Sequence, residues 1–434
     1  MLRAIVRCGF LLTVFLSFDV ARAESPATHG PWLTGDWGGV RTRLIDRGVD
    51  LQFSATSEIA YNPAGGARPG IAYAGQATFG ATFNLDRLIG LHDAQIQVTY
   101  TSRTGQDLVA NAQLNTLQLV QEVYGRGQTV RLTQFWFDQK YFDGLLDWKV
   151  GRATIGEDFA NFSCDFQNLT FCGSDPGNIV GGYIYNWPIS QWGTRLKVAL
   201  NGFGYVQAGL YDQNEQYLGY NDKLLPVFYP DSTGVLVPAE VAWEPTFGPA
   251  KLPGKYKVGG WYSTSPADDV LLDVNGNVRA LTGLPPMQHR GRYGGYINFE
   301  QQITRTATDN PVGGLRLFLN AVQADTATSG LDRQMAVGAI YTGPFSERPN
   351  DSIAFAVGTT HVNTRVAYGQ SLQNWTGAGP VPIRNSEYVF ELYYTLVPTN
   401  GVYIRPNIQY VHTPGGTSQN GDIIILGLKS QIFF

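Results

Sequence analysis

Polar and apolar residues alternate along most of the chain, from Asp50 to the end, with a period of two. Between Asp93 and Arg103, Ala94, Ile96, Val98 and Tyr100 fall on one face, with Gln95, Gln97, Thr99, Thr101 and Arg103 on the other. Leu315, Leu317, Leu319 and Ala321 oppose Arg316 and Asn320, and Phe390, Leu392, Tyr394 and Leu396 oppose Glu391, Tyr393 and Thr395. Val402, Ile404, Ile408 and Tyr410 likewise oppose Arg405, Asn407 and Gln409. The last stretch sets Ile424, Leu426, Leu428 and Ile432 against Gly427, Lys429 and Gln431 and stops on Phe434. A two-residue period is that of a strand with one apolar face. Asp143-Gly144, Asn201-Gly202 and Asn400-Gly401 sit between such segments and predict tight hairpin turns.

The polar faces decide the class of sheet. They carry Arg103, Arg195, Lys197, Arg316, Glu391, Arg405 and Lys429, which a packed interior would reject. A barrel with charges facing enclosed water and apolar residues facing hydrocarbon satisfies both faces. The expectation is therefore an all-β fold, a transmembrane antiparallel β-barrel. Sixteen strands would take about 26 residues each with their connections, and candidate strands number roughly 16 to 18 by this reading. The longer Pro- and Gly-rich interruptions, Asn62 to Gly70, Gln213 to Pro238, Ala267 to Arg290 and Gln370 to Arg384, are expected as external loops.

The first residues read differently. Arg3 and Arg7 precede an apolar run, and Ala21-Arg22-Ala23 supplies small residues for cleavage, so 1–23 is expected to be a secretory signal peptide. Beyond it no run of 18 apolar residues offers a membrane helix. Residues 24–48 form an N-terminal periplasmic or mouth segment, with a short helix from Val40 to Arg47 whose Val40, Leu44 and Ile45 share a face, and Gly48 at its end. The barrel is expected over 49–434. The 434 residues carry a net charge of −4, which argues against nucleic acid as a partner. Outer-membrane lipid is the expected surroundings, and the barrel-assembly machinery is the expected reader of Phe434.

Cys164 and Cys172 remain once the signal is removed. In an oxidising periplasm such a close pair most simply forms a disulfide, and the absence of a clustered His makes a poor zinc site. No other cofactor is indicated.

Chemistry concentrates from Val120 to Trp136, and again at Gly151-Arg152, Gly156-Glu157-Asp158-Phe159 and Tyr185-Asn-Trp-Pro188. Arg and Glu can hold vicinal hydroxyls by charge-assisted hydrogen bonds, and an aromatic ring can cover the apolar face of a sugar. The motifs Gly35-Asp-Trp-Gly-Gly39, Gln121-Glu-Val-Tyr-Gly-Arg-Gly-Gln128, Arg131-Leu-Thr-Gln134, Gln139-Lys-Tyr-Phe-Asp-Gly144, Cys164-Asp-Phe-Gln-Asn-Leu169, Ala267-Asp-Asp-Val270 and Arg405-Pro-Asn407 join these. Together they make nearly the whole mature chain resemble the carbohydrate-selective outer-membrane porins of the OprB family.

That resemblance implies a 16-stranded barrel whose constriction is made by arginines, a glutamate and a tryptophan. By motif, those roles fall on Arg103, Glu122, Arg126 and Trp187, and the family's two-cysteine loop falls on Cys164 and Cys172. Gln106 stands where the family carries a second basic residue, so the number of constriction arginines is open. Arg131 and Arg152 are secondary candidates, since an arginine on a strand is more often a wall charge than a ligand. The implied function is passive diffusion of monosaccharides or small oligosaccharides, with an anion-selective or general-diffusion pore as the alternative. A barrel enzyme has little support, because the five His are scattered along the sequence. A soluble periplasmic sugar-binding β-protein is a further rival. Monomer and homo-oligomer both stay open.

Overall fold

The computed structural model describes residues 32–219, 224–306, 310–377 and 380–434. The expected signal peptide, 1–23, lies outside the described residues. Sixteen strands, from Val49–Ala64 to Ile423–Phe433, pair antiparallel with their neighbours in the chain, and the last pairs with the first. A further strand of two residues, Thr246–Phe247, only caps the start of Leu252–Asp273. Closure leaves the barrel wall without a free edge, as a bilayer requires.

The two-residue period survives in three dimensions. On the last strand, Ile424, Leu426 and Leu428 are exposed on the outer surface, while Ile423, Ile425 and Lys429 are buried inside. At the seam Ile59 lies opposite Leu428 on the outside, and Glu58 opposite Lys429 on the inside. The turns follow the prediction: Asn400-Gly401 alone joins Ser386–Thr399 to Val402–His412, with Gly401 at φ 76°, a conformation in which glycine pays no side-chain penalty.

The N-terminal helix is present as Val40–Asp46, but its apolar residues do not form the buried face. Val40 is exposed and Arg41 is buried. The Arg41 guanidinium lies between Trp32 and Trp37, 3.8 and 4.2 Å from their ring centres, and donates to the backbone oxygen of Phe434. The amide of Leu33 donates to the Phe433 carbonyl at 3.1 Å. A cation sandwiched by two indoles thus ties the start of the described chain to its end.

Strands also run further than the Pro and Gly content suggested. Val49–Ala64 and Gly70–Asn84 take four of the nine residues of the Asn62 to Gly70 interruption, and Leu252–Asp273 and Pro286–Gln302 extend into the Ala267 to Arg290 one. The largest departures from regular strand are instead the connections 106–129 and 154–190. Both fold into the barrel. Asp158 meets Lys149 at 2.7 Å and Arg195 at 3.6 Å on one part of the wall. Across the lumen, the amides of Gln167 and Asn168 donate to the Glu391 carboxylate at 2.7 and 2.8 Å. Between them Asn298 donates to Asp175 at 3.1 Å and Asn178 to Gln334 at 3.3 Å. Phe159, Ile179, Val180 and Ile184 pack beside Trp261 and Tyr296, while Phe166 and Phe171 pack beside Ala356 and Tyr393. The interior is thus partly a hydrophobic core, formed between inserted loop and wall.

Candidate functional site

Strand register builds the first half of the site. Gln76 and Arg103 are directly opposed on Gly70–Asn84 and Ala94–Gly105, both pointing inward. Arg103 Nε donates to Gln76 Oε1 at 2.8 Å, and another of its N–H groups donates to the Gly125 carbonyl. Its remaining nitrogen stands 4.0 Å from Glu122 Oε2.

Glu122 opens a single 3₁₀ turn, Glu122–Tyr124, that the wall holds from beneath. Gln121 Nε2 donates to the Glu58 carbonyl at 2.8 Å, and the amide of Val123 to the Glu58 carboxylate at 3.2 Å. The fully buried Lys429 ammonium lies 3.0 Å from Glu122 Oε1 and 3.4 Å from Glu58 Oε1. It also donates to the carbonyls of Cys164 at 3.0 Å and Phe166 at 2.8 Å. One cation from the final strand therefore gathers both inserted connections. Two carboxylates so close, Glu58 buried and Glu122 partly so, are tolerable only with such a countercharge and its hydrogen bonds.

Arg126 adopts a left-handed backbone at φ 72°, followed by Gly127 at φ 86°. This bend aims its guanidinium at the 154–190 connection, where it donates to the Gly181 carbonyl at 2.9 Å and the Gly177 carbonyl at 3.1 Å. Burial pulls the guanidinium below its ordinary pKa, with Tyr185 acting the other way. Trp187 is half-buried, and its indole N–H donates to Gln76 Oε1 at 3.1 Å. Arg103 and Trp187 thus share one acceptor.

Arg131 and Arg152 lie apart from that hydrogen-bonded group. Arg131 donates to the Tyr217 carbonyl at 3.1 Å and the Arg126 carbonyl at 3.3 Å. Arg152 donates to the Ser190 carbonyl at 2.9 Å and sits 4.9 Å over the Tyr217 ring. Both are buried, with guanidiniums on the backbone of the segments that carry Arg126 and Trp187. Cys164 and Cys172 are joined in a disulfide. Glu122 lies close to both sulfurs, but sulfurs bonded to each other offer no thiolate for a metal.

Gln76 and Glu58 are absent from the sequence-derived set. A usable signal existed for each: inward parity on a strand whose neighbour carries a charge. It requires the register between strands, which sequence alternation does not supply.

The family profile described as carbohydrate-selective porin, OprB family, matches residues 68–434. Porin B of Pseudomonas aeruginosa is 39% identical over 443 residues, covering 99% of this chain and 97% of that protein. The putative porin QuiX of Acinetobacter baylyi is 34% identical, covering 93% of each. The high-pH structure of Pseudomonas putida OprB is 41% identical, with a TM-score of 0.90, covering 95% of this chain and 100% of that one. A closed 16-stranded barrel matched end to end by these porins is an outer-membrane channel, and the chain belongs to the carbohydrate-selective porin family, OprB.

Proposed function

We propose that the chain passes monosaccharides or small oligosaccharides passively, and that Arg103, Glu122, Arg126 and Trp187 form the selective point. The observation that carries this reading is the convergence of Arg103 and Trp187 on Gln76, with Glu122 beside Arg103. Donors, an acceptor and a half-exposed indole then stand side by side in a wet lumen. A polyol needs both donors and acceptors within reach, and a channel needs each contact weak enough for release. Arg131 and Arg152 act in this reading on the loops that present the site. Outer-membrane lipid covers the exposed apolar face. Because Phe434 is buried beneath the Trp32 to Arg41 clamp, its reading by assembly machinery would precede that docking. Cleavage near Ala23 would release the mature chain.

The test is planar-bilayer conductance with sugars as blockers. Trp187→Ala should weaken sugar block about fivefold to tenfold, a loss on the order of 1 kcal/mol, with open conductance unchanged or slightly raised. One observation favours the anion-selective alternative: among the described residues Arg126 makes no ion pair. A pore blocked only by anions, with sugar flux indifferent to Trp187, would replace the sugar reading by that one.

A further inference from the structure

Gln76 lies outside every motif quoted above, yet it touches both a strand arginine and a loop tryptophan of the proposed site. We propose that Gln76 is a specificity-determining residue of the sugar path: its oxygen fixes Arg103 and Trp187, and its amide nitrogen donates a hydrogen bond to a hydroxyl of the solute. The inference rests on the sugar reading.

The orientation of the amide follows from its partners. Arg103 Nε and Trp187 Nε1 can only donate, and both point at the same Gln76 atom, at 2.8 and 3.1 Å. That atom must be the oxygen, because a flipped amide would set an NH₂ group against two N–H groups. Both lone pairs are then used, and the NH₂ group faces away from these two partners. Among the described residues it donates to no protein group, and it is not one of the buried polar atoms left without a partner. The residue is 9% exposed, and this nitrogen is not sealed from the lumen. Its position on the wall is fixed by register, since Gln76 is paired with Thr56 on one side and Arg103 on the other.

A solute ring lying against the half-exposed indole would bring its edge hydroxyls toward Gln76, whose oxygen lies 3.1 Å from the indole nitrogen. Glu122, held beside Arg103, is the neighbouring acceptor. The glutamine thereby adds a neutral donor that a passing anion and a passing sugar value differently. A sugar hydroxyl accepts from it at no cost in charge, whereas an anion gains far more from the arginines.

The experiment uses the full-length porin in planar bilayers, with D-glucose and its 2-, 3-, 4- and 6-deoxyfluoro derivatives as blockers. Gln76→Glu keeps the acceptor for Arg103 and Trp187 and converts the donor into a second acceptor. Glucose can reverse the polarity of its hydroxyl and should still block this variant. Fluorine cannot donate, so the derivative substituted at the contacted position should lose a further threefold to tenfold against Gln76→Glu relative to wild type, because it cannot make the charge-assisted hydrogen bond that a hydroxyl donates to the carboxylate. Gln76→Leu, which loses both functions, should weaken glucose block by about tenfold or more on the same scale. If all four derivatives show the same ratio between wild type and Gln76→Glu as glucose does, the donor role is overturned, whatever Gln76→Leu does. Should glucose fail to block wild type, with Trp187→Ala equally silent, the sugar reading itself falls. The Trp187→Ala control separates the two failures.

Discussion

Replacing Lys429 by Met removes the ammonium and keeps most of the apolar stem. In the native protein that ammonium is fully buried, 3.0 Å from Glu122 and 3.4 Å from Glu58, and donates to the carbonyls of Cys164 and Phe166. Breaking a buried ion pair from one side costs about 3–5 kcal/mol, because the partner charge is left uncompensated. Each orphaned carbonyl adds about 1–3 kcal/mol if no water reaches it. The lumen is a source of water, so the low end, about 3 kcal/mol, is the appropriate figure. That lowers the ratio of docked to undocked loops by roughly 150-fold.

The cost should fall on the loops, not on the wall. Backbone pairing of Ile423–Phe433 with both neighbours involves no side chain, so the barrel should still assemble and resist heating in detergent. Hydrogen exchange followed by mass spectrometry should show amides in 120–126 and 164–172 exchanging about a hundredfold faster, with those of Val402–His412 unchanged. Single-channel recordings should become noisy. Adding Glu58→Gln, which removes one stranded charge, should recover a large part of the protection. Unchanged exchange in both segments, or a second substitution that makes matters worse, would refute the idea that Lys429 gathers the loops.

Leu428→Asp puts a carboxylate on the lipid-facing side of the closing strand at a cost of up to about 2–4 kcal/mol; normal yield of heat-modifiable protein in the outer membrane would contradict the assignment of that face. Mass spectrometry of the unreduced mature protein should find no free thiol, and replacing Cys164 and Cys172 by Ser should loosen the 154–190 connection by roughly 2–3 kcal/mol, as expected for so short a loop; full alkylation without reductant would disprove the bond in the cell. Burial pushes the Asp175 carboxyl, on the inserted loop, up to about 8, against the Asn298 amide and Lys257. An acid held above its ordinary 3.8 stabilises docking fully below that value, and the stabilisation is lost as pH rises through about 8. Protease sensitivity of the loop should therefore rise across this window in wild type and stay flat in Asp175→Asn, and a wild-type sensitivity that falls with pH would reverse the argument.

The parts of the fold visible in the sequence are those set by one local rule. Leu428 and Lys429 declare their faces because neighbours on a strand point oppositely and hydrocarbon admits only one of them. Asn400-Gly401 declares a turn because a two-residue hairpin needs positive φ. The two-cysteine loop at Cys164 and Cys172 was legible through the resemblance, but the full extent of the inserted connections was not, because much of them does not look like loop. Phe159, Phe166, Phe171, Ile179 and Ile184 are apolar enough to suggest wall strands, and only the folded barrel shows that they bury themselves against the inside of the wall. The N-terminal helix, read by its shared apolar face of Val40, Leu44 and Ile45, buries Arg41 instead, for the opposite reason. A charged residue on a short helix reads as solvent-facing, and the two indoles and chain end that bury it lie at sequence positions that periodicity cannot connect.

The site shows how far motif and register differ as sources of information. Glu122, Arg126 and Trp187 stand in runs of unusual composition, so chemistry alone draws attention to them, whereas Arg103 stands in an alternating strand and takes its role from the family resemblance. Glu58, Gln76 and Lys429 stand in ordinary alternating strands, where each is one polar residue among many. What distinguishes them is a cross-strand neighbour: Gln76 faces Arg103, and Glu58 faces Lys429 across the barrel seam. A one-residue slip of either pairing would turn those side chains toward lipid, where an amide is costly and a charge more so. The register that closes the barrel therefore also fixes the support of the site. A change to one of these plain strand residues should be felt in selectivity before it is felt in folding, because the backbone ladder persists while the groups that hold Arg103, Trp187 and Glu122 in place do not.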